Sequence, residues 1–141
     1  MVSSKIVSQY SGELPKSEKD RKIKGQTTPL YGSSDVLGLL DQGKLIAWSN
    51  GCARDMQKWC LDQDDIESLT KYAIEYGQYL GSEWCQPKPN GPWAACDAYR
   101  FIRKEWNENA YKEMDFEYYI KVAIGKTGKV LLLASCHPSG S

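Results

Sequence analysis

Five side chains toward the C-terminal end of this sequence carry the groups that proton transfer and phosphate chemistry require: Arg100, Glu117, Tyr119, Lys121 and His137. Glu117, Tyr119 and Lys121 are spaced by two, which places them on one face of an extended strand. A carboxylate or an imidazole can take the proton from a ribose 2′-OH or return one to the leaving 5′ oxygen. A guanidinium and an ammonium can stabilise the charge that gathers on the phosphorane between those steps. His137 is the only histidine, so a two-histidine mechanism is excluded. The residue types fit metal-free RNA cleavage, with His137 or Glu117 as base or acid, Lys121 and Arg100 as cations, and Tyr119 stacking or donating a proton. DNA lacks the 2′-OH and would be spared.

Each residue also has a plainer role. A lone histidine near a C-terminus is commonly a surface or capping residue. Glu117 and Lys121 could form a solvated ion pair that stabilises little, and Tyr119 suits a half-exposed strand by β-propensity alone. Arg100 and Arg103 could coat the sheet, or Arg100 could pair with Asp97. A cysteine nucleophile is a rival reading. Cys136 and His137 are strand neighbours with opposed side chains and form no dyad, which leaves Cys96 with His137. The run Gly125-Lys126-Thr127-Gly128 lacks the spacing of a phosphate-binding loop.

The element that must position these groups is a C-terminal hairpin. Met114, Phe116, Tyr118, Ile120, Val122 and Ile124 alternate with polar residues, as in a strand with one buried face, and Val130–Cys136 is a second apolar arm. A three-residue loop, Lys126-Thr127-Gly128, would put Gly128 in the left-handed region and Gly125 opposite Lys129. Val130, Leu132, Ala134 and Cys136 then join the apolar face, while Ser135 and His137 join Glu117, Tyr119 and Lys121. A four-residue loop would move His137 into the core.

Upstream, Ser34-Asp35 caps a predicted helix carrying Val36, Leu37 and Leu40, closed by Gly43. Lys44–Trp48 reads as extended. Ser49 or Asn50 caps a second helix with Cys52, Met56, Trp59 and Cys60 as its core stripe. Asp62 caps a third, with Asp64 and Asp65 in its first turn and Ile66, Leu69, Ala73, Ile74 and Leu80 on its apolar face. Strands are expected at Ser82–Gln86 and Trp93–Arg103, and Glu105–Glu113 as a polar connection. Helices followed by strands without crossovers imply an α+β fold, with N-terminal helices on one face of a small antiparallel β-meander.

A chain of 141 residues with no net charge has about one domain and no global field for nucleic acid or membrane. Charge is uneven, however. Residues 1–33 carry six cations against three carboxylates, 34–90 five against nine, and 91–141 seven against six. Residues 1–32, poor in large apolar side chains, read as a flexible basic arm preceding a single domain at 33–141. Five cysteines without a C-x-x-C pair read as free thiols in a reducing cytoplasm, and no metal or cofactor is expected. No run is apolar and long enough to span a bilayer.

The stretch LLDQGKLIAWSNGCARDMQKWCLDQDDIESLTKYAI, then W-x-x-x-D-x-Y-R at Trp93, Asp97, Tyr99 and Arg100, Y-Y-I-K-V at 118–122 and V-L-L-L-A-S at 130–135, resembles the motility quorum-sensing regulator (MqsR) toxins of the RelE-like ribonuclease class. The resemblance implies a RelE-like α+β fold, metal-free cleavage of messenger RNA and restraint by an antitoxin protein. It places the family's strand tyrosine and lysine on Tyr119 and Lys121, and its middle-strand residues on Asp97, Tyr99 and Arg100. Cys96 stands where the family has a functional glutamine, and Lys88 is the nearest residue to its loop lysine. The expected site is therefore Tyr119, Lys121, His137 and Glu117 for catalysis, with Arg100, Tyr99, Arg103 and Lys88 binding RNA. The competing expectation is a RelE-like fold whose open sheet binds protein or RNA without cutting it.

Overall fold

The computed structural model describes residues 4–139. Three helices, α1 (Ser33–Asp41), α2 (Asn50–Lys58) and α3 (Gln63–Tyr76), accompany five strands: β1 (Leu45–Ala47), β2 (Gln78–Cys85), β3 (Ala94–Asn107), β4 (Lys112–Ile124) and β5 (Leu131–Pro138). The strands form one sheet in the order β1-β5-β4-β3-β2. β2 to β5 are the expected antiparallel meander. β1 departs from it, running parallel to β5 at the sheet edge, so the sheet is mixed.

Local chemistry fixes the helix starts. The Ser49 hydroxyl accepts the Cys52 amide at 2.9 Å. Asp62 and Asp65 form a reciprocal capping box, each carboxylate accepting the other's backbone N–H at 2.8 and 3.0 Å. Caps of this kind contribute about 1 kcal/mol each. Ile66, Leu69 and Ala73 of α3 are buried against the sheet with Val36, Leu39 and Leu40 of α1, and burying each Leu or Ile contributes about 1.5–3 kcal/mol. The α2 stripe ends at Met56. Trp59 and Cys60 lie past the helix and are exposed, because Cys60 turns to a positive φ of 54°.

The hairpin differs from expectation in two ways that offset each other. Its loop has four residues, 126 to 129: the Gly125 amide donates to the Val130 carbonyl at 2.9 Å, and Gly128 takes φ 75° as the turn requires. Ile124 thus opposes Leu131 and Val122 opposes Leu133, so Leu131 and Leu133, rather than Val130 and Leu132, share the face of Val122 and Ile124. A β-bulge then inserts Ala134, and pairing resumes as Lys121–Ser135, Ile120–Cys136 and Tyr119–His137. One slip reverses every side chain and the bulge reverses them again. His137 ends on the same face as Tyr119. The bulge is anchored where β1 leaves the sheet: the Trp48 amide donates to the Leu133 carbonyl at 3.0 Å and the Ser49 hydroxyl to the Ala134 carbonyl at 2.7 Å.

Two stretches lie elsewhere than composition suggested. Glu105–Glu113 is no polar connection; β3 and β4 continue to the pair Asn107–Lys112. Charges stabilise this ribbon across its width, with Lys104 to Asp115 at 3.4 Å and the Tyr118 hydroxyl donating to Glu105 at 2.7 Å. Residues 4–32, expected to stand apart from the domain, pack on it. Ile6, Tyr10, Leu14, Ile23 and Leu30 cover Trp84, Trp93 and Ala95. Bridges join Ile6 to Trp93, Ser8 to Gly125 and Lys22 to Glu83. The few apolar residues of the segment are enough because each meets an aromatic or sheet residue that would otherwise face water. No helix among the described residues is long and apolar enough to cross a membrane.

Candidate functional site

Register brings the candidate residues together. Gln78 pairs with Arg100, Arg100 with Tyr119, and Tyr119 with His137, so the four form one row straight across β2, β3, β4 and β5. Adjacent strands are about 4.8 Å apart, and the Tyr119 and His137 ring centroids are 5.9 Å apart. Glu117 lies one pleat along β4 on the same face, and its carboxylate reaches back to the row. It accepts from the Arg100 Nε at 2.9 Å, from a second Arg100 nitrogen, and from the Tyr119 hydroxyl at 3.2 Å. The Arg100 Nη1 also donates to Gln78 at 3.1 Å. This face is half-buried rather than covered.

The electrostatics of the row follow from these contacts. Hydrogen bonds from Arg100, and then from Ser139 and Tyr119, hold the Glu117 carboxyl below its ordinary range. Glu117 raises the Arg100 guanidinium in turn. Glu117 is therefore an ionised acceptor near neutrality. The His137 Nδ1 lies 3.1 Å from the Pro138 carbonyl. A carbonyl only accepts, so Nδ1 donates that bond.

One pleat further along, Ala98, Lys121 and Ser135 form the next row. Burial by itself would lower the Lys121 ammonium, but an ion pair with Glu83 raises it above its usual value. Lys121 is thus a charged group with its own counterion. Lys88, in the loop after β2, is exposed and lines a cleft shared with Lys121 and Ser135.

Three of the residues singled out from sequence sit elsewhere. Tyr99 points into the core, 5% exposed, with its ring 5.8 Å from Tyr79, and burial pushes its phenol up. It packs the sheet rather than meeting a ligand. Arg103 faces the helix side, bonded to Glu105 at 2.8 and 3.0 Å and over the rings of Tyr72 and Tyr118, so it braces the ribbon instead of binding substrate. Asp97, 1% exposed, is a structural anchor. It accepts the Leu30 amide at 2.9 Å, the Tyr31 amide at 3.1 Å and the Ser82 hydroxyl at 2.7 Å, and burial raises its carboxyl against the pull of those donors.

The cysteine reading loses its geometry as well. The Cys96 thiol is fully buried and donates to the Ala94 carbonyl at 3.7 Å; the neighbouring Cys85 thiol, with burial, pushes it well up. Trp84 and Trp93 are buried beneath residues 4–32 and offer no stacking platform. Sequence reasoning missed Gln78 and Glu83. With β2 set at Ser82–Gln86, Gln78 fell in the preceding helix, although Gly77 marks the break. Glu83 was within the strand, and alternation against β3 would have placed it on the face of Lys121. Among the described residues, no three His, Cys, Asp or Glu side chains converge as a metal ion would need. No family model matches the chain, and no curated protein or solved structure is significantly similar to it.

Proposed function

We propose that the chain is a metal-independent endoribonuclease that cleaves RNA through its own 2′-OH, with the half-buried row as its active site. The observation that supports this best is the register: a guanidinium, a phenol and an imidazole stand side by side on adjacent strands, with an ionised carboxylate bonded to the first two. Glu117 is the base for the 2′-OH proton, and protonated His137 is the acid for the 5′ oxygen. Arg100 stabilises the phosphorane, and Tyr119 holds Glu117 and meets the base or sugar. Lys121 and Ser135 extend the same face. In this reading the chain is a RelE-like toxin of the MqsR kind, held in check by an antitoxin protein.

Incubation of a mixed RNA pool in EDTA tests this. Fragments ending in 2′,3′-cyclic phosphate are expected, with a matching DNA pool left intact. Glu117→Gln and His137→Ala should each lower the rate about 10²-fold or more. Intact RNA at stoichiometric protein would refute the proposal. It would favour a sheet face that binds without cutting, a reading supported by the carboxylate partners that Arg100 and Lys121 already have.

A further inference from the structure

Beside the row, a cleft of about 510 Å³ opens between the loop after β2, the N-terminal end of α2 and the half-buried faces of β4 and β5. Four cations line it: Arg21, Arg54, Lys88 and Lys121. Glu18 neutralises Arg21 at 2.8 Å and Glu83 neutralises Lys121. Arg54 and Lys88 have no carboxylate partner among the described residues, so the cleft keeps a surplus of positive charge in a chain whose net charge is zero. α2 turns its N-terminal end to the same space, which adds partial charge of the same sign.

The wall that carries Lys88 is set before any ligand arrives. Pro87 and Pro89 restrict the loop, the Pro87 carbonyl accepts the Asn50 amide at 2.8 Å, and the Gly91 amide donates to the Lys88 carbonyl at 3.0 Å. A preformed wall lowers the ordering cost of binding. Lys121 belongs both to the cleft and to the row next to Tyr119. Two residues along a strand is roughly 7 Å, on the scale of one nucleotide step in an extended single strand. A strand whose reacting phosphate sits at Arg100 and Tyr119 would lay a neighbouring phosphate at the mouth of the cleft.

We infer that this cleft is a phosphodiester subsite that holds the RNA backbone next to the point of cleavage, with Arg54 and Lys88 as the contacting cations. The inference rests on the ribonuclease reading for its role but not for its binding chemistry, so the two can fail separately.

The test uses the full chain and a fluorescein-labelled 2′-O-methyl oligoribonucleotide, which has no free 2′-OH and cannot be cut, followed by anisotropy between 50 and 200 mM KCl. The Arg54→Ala/Lys88→Ala variant should bind about 10-fold more weakly. Its salt slope should shrink by about 0.7–1.4, for one or two lost phosphate contacts on a single strand. Lys126→Ala/Lys129→Ala removes the same charge at the exposed hairpin tip and should leave affinity and slope as in the wild type. Equal losses in the two double variants, or no loss in the first, would overturn the subsite. A cleft-dependent affinity in a protein that leaves RNA intact would keep the subsite and remove the ribonuclease reading.

Discussion

Asp97→Asn keeps the shape of a fully buried side chain and turns one of its two acceptor oxygens into a donor. In the wild type, one oxygen accepts from Leu30 and Ser82 and the other from Tyr31. The asparagine leaves one buried donor facing an NH₂ group, at about 1–3 kcal/mol. The remaining bonds fall from charge-assisted strength, about 1.5–3 kcal/mol, toward about 0.5–1.5 kcal/mol. Removal of a carboxylate that burial disfavours offsets part of this, so the expected loss is about 2–4 kcal/mol. With a urea dependence of about 2 kcal/mol per M, the midpoint should fall by roughly 1–2 M. Tryptophan fluorescence reads it directly, since Trp84 and Trp93 lie beneath the segment that Asp97 secures. Amide exchange in residues 5–31 should rise with it. The raised carboxyl also sets a pH sign: burial favours the protonated form in the fold, so the stability linked to that proton is full below the ordinary carboxylate value and is lost as pH climbs through the raised one. The margin over the asparagine variant should therefore narrow as pH rises. An unchanged midpoint together with lost RNA cleavage would refute the anchoring role and return Asp97 to the reaction.

Glu117 has the opposite sign. Arg100 depresses its carboxyl, so the Arg100–Glu117 pair persists above the ordinary Glu range and is lost only as pH falls below it. If Glu117 is the base, the acid limb of the cleavage profile should lie below pH ~4.3 and move upward in Arg100→Ala. A limb already at neutrality would assign the base elsewhere. Gly77→Ala should destabilise the fold by about 1–3 kcal/mol in thermal unfolding, because its Cβ would meet the Ala73 carbonyl oxygen where α3 hands over to β2. An unchanged Tm would mean that this junction relaxes freely.

Much of the α+β plan follows from local rules that operate within a few residues. Ser49 and Asp62 cap their helices because a side-chain oxygen three positions before a free amide needs no tertiary help. The period-two pattern of β4 shows in the residues themselves, and so does the shared face of Glu117, Tyr119 and Lys121. The extent of the β3–β4 ribbon was hidden, because polar strand residues look like loop until their charges find partners across the sheet. The packing of residues 4–32 was hidden too, since a few apolar side chains read as a tail unless their aromatic partners, far away in sequence, are in view.

By itself the sequence determined the chemical inventory and the face that the β4 residues share, since both depend on residue type and on the pleat. Only the tertiary structure decided which partners complete that face. The loop has one residue more than Gly128 suggested, and a bulge at Ala134, held by Trp48 and Ser49, restores the alignment of His137 with Tyr119. It also gave Asp97 to the core and Glu83 to Lys121. Register and burial arise from contacts between segments tens of residues apart, which no local pattern encodes.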